Sequence, residues 1–179
     1  MAESFSNKLA RAVGVVNSST GGAIGITTNL ITGISTSGLT TGDLVDNQNY
    51  IAGTTISSIG AGQVVVDRDS TNTSSASSQV VKFLQPTTIY TSPGGTKSIL
   101  IGGTFANNTN NQVALTVSVS DNSTGITAAI ASKIPVPAGS SFVISDTGKT
   151  LLEASDALKV FCDTANAIDA NISILTGVN

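Results

Sequence analysis

Histidine and tryptophan are absent from the 179 residues, and cysteine occurs once. The missing histidine removes the commonest general base and the commonest metal ligand near neutral pH. A single Cys162 excludes an intrachain disulfide, so any core must hold without a covalent staple. Aromatic residues make up 4% of the chain and charged residues 11%, against a usual charged share of about 25%. The few Lys and Arg form no basic cluster, which leaves no footprint for nucleic-acid phosphates. There is no apolar run of about 18 residues to span a membrane, and the opening MAESFSNKLARAVG lacks the apolar core of a signal peptide. Neither nucleic acid nor membrane is an expected partner.

What is present is apolar content of 40% set among Ser, Thr, Asn, Gly and Ala. Low charge with positive mean hydropathy is the opposite of a disordered composition. A net charge of -3 opposes self-association only weakly, so assembly with identical or different subunits meets little electrostatic resistance. Homo-oligomerisation is expected, with a trimer as a reasonable form.

Short apolar runs with period-two alternation fill the chain, each bounded by Gly, Pro, Asn or Asp. Between Thr87 and Thr176 they read TTIYT, KSILIGGTFAN, QVALTVSVS, ITAAIASKIPV, SSFVIS, KTLLE, ALKVFCD and IDANISILT. Val113, Leu115, Val117 and Val119 share one face of such a strand. Between Ala23 and Leu84 six shorter runs appear: AIGITT, LITGIS, GDLV, TTISSI, QVVVD and QVVKFL. Pro86 breaks the ladder between the two sets. The polar stretch RDSTNTSSASS reads as an exposed loop. The fold expected is all-β: a small barrel-like module over 23–85 and an antiparallel, jelly-roll-like β-sandwich over 86–179.

Residues 1–22 form the remaining segment. Phe5, Leu9, Ala12, Val13 and Val16 fall on one helical stripe, with Lys8 and Arg11 off it, and NSSTGG follows at once. A helix this short is marginal alone and must dock on something. It packs either on its own domain or, as an arm, on a neighbouring subunit. On the arm reading Phe5, Leu9, Arg11 and Val13 are the partner-binding residues, and deleting 1–16 leaves a folded domain.

Candidates for chemistry are few. Cys162 alternates with Val160 in a strand and has no His to activate it. GGAIG and GAGQ match no phosphate-cradling loop and read as turns. Asp43 with Asp46, and Asp67 with Asp69, offer oxygen ligands but no twelve-residue calcium loop. Glu153 and Asp156 lie near a turn without a spacing that indicates a glycosidase pair. The run NNTNN at Asn107 to Asn111 reads as an exposed loop able to meet a partner or solvent. No catalytic, cofactor-binding or metal residue is assigned, and the expectation is a protein that is not an enzyme.

Two stretches resemble a known group of proteins. Gly38, Leu39, Gly42, Asp43, Val45, Ile51, Gly53, Thr54, Thr55, Ile56, Ile59, Val64 and Val66 follow the pattern of a short β module that recurs in structural proteins of tailed bacteriophages. In that pattern Leu39, Val45, Ile51, Ile56, Ile59 and Val64 supply core. The pieces Tyr90, Thr91, Pro93, Gly95, Thr96, then Val136 to Ser141, then Leu152, Asp156, Leu158 and Val160 resemble the C-terminal β-sandwich of phage virion proteins, including those of cyanophages. The resemblance implies a virion location after assembly in the host cytoplasm and a non-enzymatic role, most simply capsid decoration or cement bound to the major capsid protein. A place in the tail, neck, baseplate or fibre attachment is the alternative, and a carbohydrate-binding adsorption module is a third reading.

Overall fold

The computed structural model describes residues 3–51, 53–144 and 149–178, and of Val15 the backbone alone. The first seven strands are β1 (Ser4–Val13), β2 (Val15–Ile24), β3 (Leu30–Thr32), β4 (Leu44–Asp46), β5 (Ile56–Gly60), β6 (Gln63–Val66) and β7 (Ala76–Gln85). The other eight are β8 (Thr87–Thr91), β9 (Lys97–Asn107), β10 (Val113–Ser120), β11 (Thr127–Val136), β12 (Ser141–Ile144), β13 (Thr150–Leu152), β14 (Ala157–Cys162) and β15 (Ile168–Val178). No helix occurs among the described residues, and the chain is all-β.

It divides into two compact units, one formed by Met1–Val15 with Pro86–Asn179 and the other by Val16–Gln85. In the first unit the strands pair from the outside inward: β1 with β15, β8 with β14, β9 with β12, and β10 with β11, all antiparallel. A long hairpin rolled up in this way gives two sheets, β1-β15-β9-β12 and β8-β14-β10-β11, with the short β13 also on β9. This is the double-sheet jelly roll. Its first strand precedes the other unit in sequence, so Val16–Gln85 is inserted between the first and second strands of the roll.

The two sheets face each other across a core that joins Leu100, Phe105, Ile172 and Ile174 of one to Leu115, Val117, Leu158 and Val160 of the other. Alternation decides which side chains enter it. In β10, Val113, Leu115 and Val117 are buried on the shared face, and Val119 packs against the same cluster at its margin. The sandwich motifs sit at turns and in the core. Thr96 and Ser140 close turns by donating their amides to Pro93 O and Pro137 O, each at 3.2 Å. Leu152, Leu158 and Val160 are fully buried, and the Asp156 carboxylate accepts the amides of Glu153 at 2.9 Å and Asn122 at 3.0 Å.

The inserted unit is one six-stranded sheet, ordered β4-β7-β2-β3-β6-β5, around Ile24, Ile31, Val45, Ile56, Val64 and Phe83. Of the six core positions expected there, Leu39, Val45, Ile56 and Val64 are buried, whereas Ile51 is 51% and Ile59 38% exposed. The carbonyl of Ile51 accepts both the amide and the hydroxyl of Thr54, which turns the chain there and gives the inward place to Tyr50. A register shift between Ile56 and Ser58 precedes Ile59 in β5.

The helix expected at the N-terminus is a strand. Met1 and Ala2 lie outside the described residues, but Ser4 to Val13 form β1, paired with β15 from Ser4↔Thr176 to Val13↔Ile168. A spacing of four is close to one helical turn, yet it is also even, so Phe5 and Leu9 share a face in an extended chain as well. Cross-strand pairing with β15 satisfies backbone groups that a lone short helix would leave marginal.

Candidate interaction face

The outer face of the β1-β15-β9 sheet carries an ordered pattern. Ser98, Leu100, Leu152, Ile172 and Ile174 point into the core, so the alternate residues of their strands point away from it. One cross-strand row reads Phe5, Leu175, Ile99 and Leu151, one residue from each of β1, β15, β9 and β13. Four residues further along β1 a second row reads Leu9, Asn171, Thr104 and Val143, ending on β12. Between them Ser173 donates its hydroxyl to Asn7 Oδ1 at 3.0 Å.

Phe5 is 64% exposed and Leu9 76%, and Val143 and Leu151 are about half exposed. These four belong to the ten large apolar residues with exposed side chains among the described residues. The other six are spread over both units, so the concentration on one sheet is what marks this face. Two exposed ion pairs bound it at opposite ends, Lys97 Nζ to Glu153 Oε1 at 3.1 Å and Arg11 Nε to Asp169 Oδ2 at 3.8 Å. Pairs this exposed contribute little to stability, and each is neutral within itself.

Of the four N-terminal residues expected to bind a partner, Phe5, Leu9 and Arg11 stand on this face. Val13 does not. It is fully buried in the jelly-roll core, because β1 gains one residue relative to β15 between Ala10↔Ala170 and Val13↔Ile168. That bulge, with Ala12 at φ 53°, turns Val13 to the opposite side from Leu9. Leu175, Ile99, Leu151 and Val143 were not singled out from sequence. Their signal is the unbroken apolar runs Ile99-Leu100-Ile101 and Leu151-Leu152, which mean that a strand is apolar on both faces.

The residues considered for chemistry occupy other places. Cys162 is buried, donates to Thr164 O at 2.7 Å, and has its thiol pKa pushed up, first by burial. The carboxylate of Asp43 is buried and accepts the amide of Thr40 at 2.9 Å, its hydroxyl at 2.7 Å and the Gln85 amide at 3.1 Å. Asp67 Oδ1 accepts the Thr55 amide at 2.7 Å. Among the described residues no three His, Cys, Asp or Glu side chains come together as a metal site. The NNTNN loop lines an open cleft of about 580 Å³ with residues 138–141. Asn107 is its organiser: its amide donates to Asn111 O, Val136 O and Pro137 O, and its carbonyl accepts from Thr109. The cleft holds neither a charged group nor an aromatic ring.

No family model matches the chain, and no curated protein does. Two solved virus structures resemble it over most of its length. One is the T13 viral particle of IBDV, at 11% identity and a TM-score of 0.32, covering 98% of this chain and 69% of that one. The other is infectious bursal disease virus, Gx strain, at 15% identity and a TM-score of 0.29, covering 96% of this chain and 57% of that one.

Proposed function

We propose that this chain is a non-enzymatic structural component of a bacteriophage virion, a decoration or cement protein held on the capsid by contacts with other virion proteins. The observation that carries the reading is the outward apolar row Phe5, Leu175, Ile99 and Leu151, which gives a protein poor in reactive groups a surface for assembly. Three further features support it. The phage-like motifs at Pro93 to Thr96, Pro137 to Ser140 and Leu152 to Val160 form turns and core of one roll, so they act as a set. Jelly rolls of this kind serve in viral capsids, although also in lectins and other proteins, so the architecture is support by analogy. A surface of Ser, Thr and Asn with little charge suits close packing against neighbours.

Quantitative mass spectrometry of purified virions, with the major shell protein as internal standard, tests the proposal. A copy number of the same order as the shell protein is the expected result. A copy number matching a small ring on one axis favours the tail, neck or baseplate reading instead. Absence from purified particles removes both.

A further inference from the structure

We propose that the outer face of the β1-β15-β9 sheet pairs with the same face of a second copy of this chain, about a twofold axis running along the strands between β15 and β9. The inference rests on the reading that the face serves assembly, and it names the partner.

An isologous interface needs a surface that matches itself, so that where residue i meets j, j meets i. A twofold axis along the strands keeps each residue's height and reverses the order of strands. The two cross-strand rows satisfy that requirement. The first is apolar throughout, so reversal sets Phe5 against Leu151 of the other copy and Leu175 against Ile99. The second is apolar, polar, polar, apolar: Leu9 meets Val143, and Asn171 meets Thr104, an amide opposite a hydroxyl. The ion pairs also avoid themselves. Arg11 and Asp169 lie on the β1-β15 side at one end, Lys97 and Glu153 on the β9-β13 side at the other, so reversal sets neither pair against its own copy.

Size agrees with a modest specific contact. Four strands about 4.8 Å apart and about eight residues long at ~3.3 Å each give a plan area of roughly 500 Å². Closing two such faces hides about 1,000 Å², which is the lower bound for a specific interface.

The competing mode, addition of a strand at the open edge of β1, is disfavoured by β1 itself. Lys8 pairs with the buried Ile172 and so sits on the core side of the edge strand, and the bulge at Ala12 interrupts the ladder. An inward-facing charge and a bulge are the devices by which sheet edges avoid pairing. Face-to-face packing, with the aligned geometry of sandwich sheets, remains open to it.

Sedimentation velocity of the full chain over a range reaching about 100 µM, a concentration suited to a contact of this size, reads the association state. A monomer-dimer equilibrium is expected. Phe5→Lys and Leu151→Glu, both at exposed positions, are each expected to sediment as folded monomers. Mixed together they are expected to recover a heterodimer, since the reversed order places position 5 of one copy against position 151 of the other. A wild-type monomer across the range, a trimer, or dimers indifferent to both substitutions overturns the proposal. Incorporation of the two variants into virions separates the levels. If the wild type is monomeric but the variants are lost from particles, the face binds a different virion protein, the twofold pairing is wrong and the structural role stands. If the wild type is monomeric and the variants enter particles normally, the assembly role of this face falls too.

Discussion

The phenolic oxygen of Tyr90 lies 2.8 Å from Ser98 Oγ, joining β8 of one jelly-roll sheet to β9 of the other. It also lies 3.0 Å from Thr176 Oγ1, and Ser98 continues the chain to Ser92 at 2.9 Å, which donates to Thr96 O. Buried hydroxyls linked in this way are satisfied only as a set. Tyr90→Phe is therefore expected to lower unfolding stability by about 1–2 kcal/mol, with the denaturant slope unchanged. Urea titration followed by circular dichroism measures it, and an unaltered midpoint would show the chain of hydroxyls to be energetically idle.

Strand β1 separates two kinds of apolar residue only a few positions apart. Val13→Ala removes two methyl groups from a packed core and is expected to cost about 1–3 kcal/mol, whereas Phe5→Ser and Leu9→Ser are expected to stay within about 0.5 kcal/mol. Thermal unfolding of the three variants, at concentrations low enough to keep them monomeric, distinguishes this strand from a dispensable arm. An equal effect at all three positions would contradict the bulge that turns Val13 inward.

Removing residues 1–13 is expected to abolish a soluble folded protein. It would strip β15 of its neighbour and open the core beside Ile168, Ile172 and Ile174. A truncated chain with an intact, cooperative unfolding transition would refute the placement of β1.

Gly14 and Gly125 both adopt positive φ, at 79° and 71°. A Cβ on Gly14 would stand 2.9 Å from Phe161 Cα, while one on Gly125 would meet nothing within 4 Å. Alanine at either position pays the left-handed conformational penalty of about 1–2 kcal/mol. Only Gly14→Ala adds a backbone collision, so it should be destabilised further than Gly125→Ala in parallel chemical denaturation. Equal losses would mean that β14 yields freely.

Tyr50 couples the inserted module to alkaline pH. Burial, and then the negative charge of Asp69, push its pKa from 10.0 up to about 12, and its hydroxyl donates to Thr28 O at 3.2 Å. The folded state favours the protonated phenol, so the unfolded chain ionises first. The stability it contributes is complete below pH 10 and drains away between 10 and about 12. Urea midpoints measured across that window should fall for the wild type and fall less for Tyr50→Phe.

The strands were legible in the sequence because alternation and turn residues are local. QVALTVSVS and ALKVFCD declare their buried faces, and the break at Pro86 coincides with the end of the inserted unit. Two things depended on distant partners. The segment from Ser4 to Val13 has an apolar spacing that suits either a helix or a strand, and only β15, more than 150 residues away, decides it. The outward apolar row was hidden for the same reason: Phe5, Leu175, Ile99 and Leu151 are unremarkable singly, and they form a row only through three separate strand registers.

The amide of Gly14 donates to Thr87 Oγ1 at 2.7 Å, so the chain leaves the roll and re-enters it within one hydrogen bond. A host whose exit and entry points meet loses little by accepting foreign sequence between them, because the inserted piece closes a gap that hardly exists. The stretch from Val16 to Gln85 can thus change in length with little effect on the strand pairing of the roll. Sequence change can then act on two parts independently, altering the inserted unit while the register of the roll is left alone.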